Sequence, residues 1–144
     1  MKRVIHAVVF WIITVFIMNV IFSLSAQNAD ESNAVSQGLL DIIIQYIGNI
    51  ISVSTLRTFA HFAEYTALGF FLCGSVYCTF DKLKYYINII PCAIYAVSDE
   101  IHQLFVPDRA FQFTDILVDS IGSSLGIILF ILIICIYRKK QNNN

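Results

Sequence analysis

A chain of 144 residues that is 58% hydrophobic and only 13% charged, with a mean hydropathy of +0.73, is not a disordered segment, a nucleic-acid module, a coiled coil or a collagen-like rod. Its length allows one domain, 1–144, and a soluble core of that size would leave wide apolar patches in water, so lipid is expected to solvate much of the surface. The net charge of −1 says little as a sum, and more once the nine basic and ten acidic residues are placed along the chain.

A helix needs about 20 apolar residues to cross ~30 Å of hydrocarbon. Val4–Leu24 is the first such stretch, broken only by His6, Thr14, Asn19 and Ser23. Lys2 and Arg3 before it and Ser23, Ser25 and Ala26 at its end imitate a signal peptide. Its apolar run exceeds the ~7–15 residues of a signal core, so it reads as a retained span. Val35–Val53 carries Gln37, Asp41, Gln45 and Asn49 at every fourth position, a polar stripe on a helix otherwise rich in Val, Leu and Ile. That pattern predicts an amphipathic helix in the membrane interface, or a shallow re-entrant one. Thr58–Phe80 is a second span with His61 and Glu64 near its start. Tyr85–Phe105 is a third, with Asp99, Glu100, His102 and Gln103 late. Ile116–Tyr137 is a fourth; Asp115 precedes it and Asp119 lies in its first turns.

With four spans and both termini cytoplasmic, Lys2, Arg3, Lys82, Lys84, Arg138, Lys139 and Lys140 face inward, which is seven of the nine basic residues. Were Val35–Val53 to span as well, the Asp81–Lys84 loop and the basic tail would face outward, against the positive-inside rule. The expected architecture is therefore all-α: an integral membrane four-helix bundle, N-in/C-in, with an extra interfacial helix between the first two spans.

This topology brings the remaining charges to one level. The second span begins outside, the third ends outside and the fourth begins outside, so Arg57, His61, Glu64, Asp99, Glu100, His102, Gln103, Arg109, Asp115 and Asp119 share one slab. At ~100° per residue, Arg57, His61 and Glu64 fall within about 60° of one another, and Asp99 stacks over Gln103 as Asp115 does over Asp119. Ionisable groups facing lipid cost several kcal/mol, so these faces are expected to turn inward and meet. Arg57 and Asp115 taken singly would pass as interfacial anchors, and His61 as a satisfied core histidine. A structural network would need the two arginines and two or three of the five acids, but not both histidines and the surplus carboxylates. Gly122 and Gly126 form a small-xxx-small pair where another helix can come close. Cys73, Cys78, Cys92 and Cys135 have no metal or redox spacing and read as packing residues.

Three stretches then form a pattern: Arg57-x3-His61-x2-Glu64-Tyr65-x2-Leu68-Gly69; Asp99-Glu100-x-His102-Gln103-x3-Pro107-x-Arg109; and Asp115-x3-Asp119-x2-Gly122-x3-Gly126. Together with the Phe22-Ser23…Gln27 exit from the first span, they resemble the VanZ-like family over almost the whole chain. Asp108 stands where members often have Gly, and Asp119 where they often have Asn. The resemblance implies a multi-pass protein of the bacterial cytoplasmic membrane, in a family named for an accessory protein that lowers susceptibility to teicoplanin, and hence a contribution to glycopeptide tolerance.

The residues themselves suggest an enzyme, a hydrolase or transferase using acid/base groups at the outer face on an envelope lipid or cell-wall intermediate. Arg57 and Arg109, with Gln103, would bind a phosphate or carboxylate. His61 or His102 would move a proton, with Glu64 or Asp99 orienting it, and Glu100, Asp115 and Asp119 would complete the acid/base set. No Ser or Cys of the block is singled out as a nucleophile, so hydrolysis or acid/base transfer is preferred to a covalent intermediate. No cofactor is expected. A divalent metal held by His61, His102, Glu64 and Asp99 is the minority alternative, since no H-x-x-x-H spacing supports it. The competing reading is a non-catalytic protein that binds or masks a head group or glycopeptide. A proton-coupled carrier ranks last, because the inner halves of the spans lack ionisable residues. Membrane lipids and a phosphate-bearing substrate are the expected partners, and nucleic acid is not.

Overall fold

The computed structural model describes residues 2–47 and 52–142. Those residues form five helices: α1 (Lys2–Ser25), α2 (Ala29–Ile47), α3 (Val53–Phe80), α4 (Tyr85–Gln103) and α5 (Phe113–Asn142), with no strand among them. Arg3–Ser25 and Phe113–Asn142 are long and apolar enough to cross a membrane by length and composition.

The bundle has an apolar core, yet it also buries polar side chains and leaves large apolar ones on its outside. Phe16, Ile94, Ile121 and Ile136 stand exposed on α1, α4 and α5, while Asn88, Asp99, Glu100, Gln103, Asp119 and Ser123 are buried. Exposed apolar faces together with buried polar groups suit a hydrocarbon solvent, where the polar groups are the ones to be sheltered.

Helix α3 is the hub, packed against each of the other four. Its closest neighbour is α5. A Cβ on Gly69 would strike the Ser123 carbonyl, one on Gly122 the Phe62 carbonyl, and one on Gly126 the Thr66 carbonyl, so these backbones touch only because the three residues are glycine. The expected close approach at Gly122 and Gly126 is thus made, with α3 as the partner. On the other side of α3, Thr14 and Ser75 hydroxyls bond at 3.0 Å, and the Trp11 indole donates to Thr79 at 3.1 Å, which register α1. The Tyr95 hydroxyl donates to the Met18 carbonyl at 2.6 Å and ties α4 to α1. Ile21, Tyr65, Leu68, Cys92 and Ala96 fill the space between these helices.

At one end of the bundle, Asp81 caps α3 in the left-handed conformation, φ 58°, its N–H donating to the Tyr77 carbonyl at 2.9 Å. Its carboxylate accepts from Arg138 at 3.1 Å and lies 3.7 Å from Arg3, gathering the first, third and fifth helices. These groups are half exposed, so the contact adds little stability. The opposite end gathers the start of α3, the end of α4 and the start of α5.

The interfacial helix expected at 35–53 begins earlier than its periodicity suggested. The Asn28 side chain accepts from the Glu31 N–H at 2.9 Å and Glu31 accepts from the Asn28 N–H at 3.2 Å, a reciprocal cap that starts α2 at Ala29. Hydropathy periodicity is blind to such a polar first turn. Gln37, Asp41 and Gln45 are exposed on one face and Leu40 is buried, as an amphipathic helix requires; Asn49 lies outside the described residues.

Between α4 and α5 a turn is closed by the Arg109 N–H on the Val106 carbonyl at 3.3 Å, with Pro107 second and Asp108 third at φ 59°. That left-handed third position favours glycine. Asp108→Gly should leave the melting temperature in detergent unchanged or slightly higher. Asp108→Val should lower stability by about 1–2 kcal/mol. Equal melting of the two variants would refute the strain.

Candidate functional site

The end of the bundle opposite Asp81 collects the polar residues. From α1, the Ser25 hydroxyl donates to Asp99 Oδ2 at 2.8 Å, and Gln103 Nε2 reaches the same hydroxyl at 3.5 Å. All three are buried. Sequence reasoning missed Ser25, though the end of the first span lies at the level of the other site residues, and that shared level was the available signal.

From α3 come Arg57, His61 and Glu64. His61 Nδ1 lies 3.5 Å from Asp119 Oδ1 of α5, an ion-pair separation longer than a direct hydrogen bond. The partner of His61 is thus Asp119, rather than the Glu64 or Asp99 considered from sequence. Asp119 is fully buried and neither of its oxygens has a hydrogen-bond partner within the protein. Glu64 turns the other way, into a cavity under α2.

From α4, Asp99, Glu100 and Gln103 are buried and His102 is half-buried. Glu100 Oε2 accepts the Gln112 N–H at 2.8 Å, which pins the chain as it enters α5, and its Oε1 is enclosed without a partner. A carboxylate there also suits the positive end of the α5 dipole. His102 stacks on the Phe22 ring, centroids 4.5 Å apart, so α1 sets its orientation; its Nε2 is enclosed without a partner. Asp115, half-buried, joins Arg57 and His61 around a small polar cavity of about 90 Å³.

The two arginines sit at the rim. Arg109 Nε donates to the Gln27 carbonyl at 3.2 Å, a consequence of the turn at Asp108. Burial draws the Arg109 guanidinium below its ordinary pKa, and the nearby Arg57 adds to this, while Glu100, Asp115 and Asp99 oppose it. Both groups remain cations. Among the described residues, neither arginine makes an ion pair with a carboxylate; the ion pairs are those of Arg3, His61 and Arg138. Nor do three His, Cys, Asp or Glu side chains among them converge as a metal-ligand set, so the four-residue arrangement of His61, His102, Glu64 and Asp99 is not assembled.

The VanZ/LLP1 family model matches residues 10–134. The chain belongs to the VanZ/LLP1 family. No curated protein and no solved structure matches it. The match takes in every residue of the site, from Ser25 to Asp119, together with the glycines that bring α3 and α5 together. In this VanZ/LLP1 chain the site is a floor of buried carboxylates, a histidine set against one of them, and two cations at the rim. Such a set can hold an oxyanion and move a proton beside it.

Proposed function

We propose that this VanZ/LLP1 protein is a four-span protein of the bacterial cytoplasmic membrane, with α1, α3, α4 and α5 crossing, α2 lying in the interface and both termini cytoplasmic. At its outer face it acts on a phosphate-bearing envelope lipid or lipid-linked cell-wall intermediate. The observation that carries the reading is the state of the arginines. Two mutually repelling guanidinium groups stand beside a cluster of acids, yet neither is paired with one. A purely structural network would have joined them. An oxyanion between them would relieve the repulsion, and forked hydrogen bonds suit a phosphate.

In this reading Arg57 and Arg109 hold the phosphate and His61 exchanges the proton. His61 takes the proton of water, or of an acceptor hydroxyl, as that oxygen attacks, and returns it to the departing oxygen. Asp119 orients the imidazole and stabilises its charged form, as a buried carboxylate does for a catalytic histidine. Asp115 borders the polar cavity beside His61. The Ser25 hydroxyl is committed to Asp99, which favours direct transfer to water or hydroxyl over a covalent seryl intermediate. Glu100 and Gln103 act by holding the backbone and Ser25.

Incubating the purified protein with labelled phospholipids and lipid-linked wall precursors, followed by mass spectrometry, tests the reaction. A product absent from a His61→Gln control is expected; no product across the panel would count against an enzyme and for a binding protein. Orientation is tested separately with single cysteines placed at 81–84. These should resist a membrane-impermeant thiol reagent in intact cells and react after permeabilisation. Labelling in intact cells would overturn the topology.

A further inference from the structure

Arg57 borders two cavities, not one. On α3, Glu64 lies about 20° to one side of Arg57 and His61 about 40° to the other, at ~100° per residue. The His61 side is the polar cavity shared with Asp115. The Glu64 side is a cavity of about 130 Å³ between α2 and α3; Leu24, Val35, Leu39 and Ala60 give it most of its surface, and Gln27, Ser32, Ser36 and Glu64 edge it with polar groups.

This second cavity opens beside the exposed apolar face of α2. Val35 and Leu39 line it and are also half exposed on α2; Ile42 and Tyr46 continue the exposed apolar face along the same helix. Among the described residues no side-chain hydrogen bond joins α2 to another helix; its polar contacts are its own Asn28–Glu31 cap and the Gln37–Asp41 pair. The helix is therefore held over α3 by apolar contact, which an alkyl chain can replace in kind.

We propose that the cavity under α2 receives the first carbons of the alkyl chain attached to the substrate's phosphate, with Arg57 holding that phosphate where the apolar and polar cavities meet. This rests on the functional reading above and sharpens it: the ligand is an amphiphile whose phosphate is joined directly to an apolar chain, entering from the lipid side beneath α2, while water reaches the phosphate through the polar cavity. At about 130 Å³ the cavity has room only for the start of such a chain, so the rest would leave along the apolar face of α2.

The test uses water-soluble probes: inorganic phosphate and methyl, ethyl, propyl and butyl phosphate, titrated calorimetrically into the purified full-length protein. Affinity should rise with each carbon by up to about fourfold, the worth of burying one methylene. Filling the cavity with Ala60→Leu, or independently with Val35→Phe, should abolish the chain-length dependence and leave inorganic phosphate binding within twofold. Arg57→Gln should weaken every probe. Phosphate binding without chain-length dependence, or a dependence that both filled variants retain while melting like wild type, overturns the cavity assignment and leaves the functional reading standing. Failure of wild type to bind any probe overturns both.

Discussion

Asp119→Asn is expected to slow turnover of the lipid phosphate on the order of 10²–10⁴-fold, with affinity for the substrate nearly unchanged. The carboxylate is fully buried and its Oδ1 lies 3.5 Å from His61 Nδ1, so its charge acts on the imidazole and on nothing in solvent. Replacing it with an amide keeps the volume but removes the charge that stabilises a protonated His61 and selects its orientation. His61→Gln should cost a similar factor, because it removes the group that carries the proton. The double variant should cost little more than either single one, since the two act as a unit. The measurement is a steady-state rate and an independent dissociation constant for the same substrate. A fall in kcat with an unchanged dissociation constant fits catalysis. Affinity lost in proportion to any remaining effect would make the pair part of a binding surface instead.

The second large effect is expected from the glycines. Gly126→Leu should prevent α3 and α5 from meeting, and the protein should melt far below wild type or aggregate in detergent. Gly126→Ala should cost about 1–3 kcal/mol, because even one Cβ falls on the Thr66 carbonyl and the Phe70 amide, which are backbone and cannot rotate away. Gly122→Ala is the more informative change. Gly122 lies on α5 three residues after Asp119, and its added Cβ would strike the carbonyl of Phe62, the residue after His61. Forcing those backbones apart widens the His61–Asp119 gap, so activity should fall more steeply than stability. Gly38→Ala is the control: nothing lies within 4 Å of its added Cβ, and removing a helical glycine should stabilise slightly. If Gly122→Ala melts and reacts like Gly38→Ala, the glycine contact does not set the site.

The helices and the gathering of polar residues at one end of the bundle are legible in the sequence. Long apolar runs indicate helices because only a helix satisfies its own backbone in hydrocarbon. Polar residues at turn spacing mark the faces of α4 and α5 that turn inward, and on α2 the face that turns outward. The level of the site followed from counting residues along each helix. Legibility failed where the signal was not periodic. The start of α2 depends on a two-residue reciprocal cap, Asn28 with Glu31, in a segment with no apolar rhythm. Ser25 was invisible as a site residue because one serine at a helix end carries no pattern, and only the approach of α1 to α4 brings it to Asp99. Glu100 read as one acid among five, yet its contact is the backbone at Gln112.

Length and composition marked a chain too apolar for water, and sorting its sparse charge by position separated basic residues near one end of the helices from acids near the other. The sequence alone determined that much, because residue type and rise per residue are one-dimensional properties. Pairing is not. Whether His61 meets Asp119 or Glu64, and whether Arg57 and Arg109 pair with acids or stand apart from them, depends on how the helices are rotated about their axes and how closely they pack. Three glycines let α3 and α5 touch, and that contact, which no periodicity encodes, decides what the gathered charges can do.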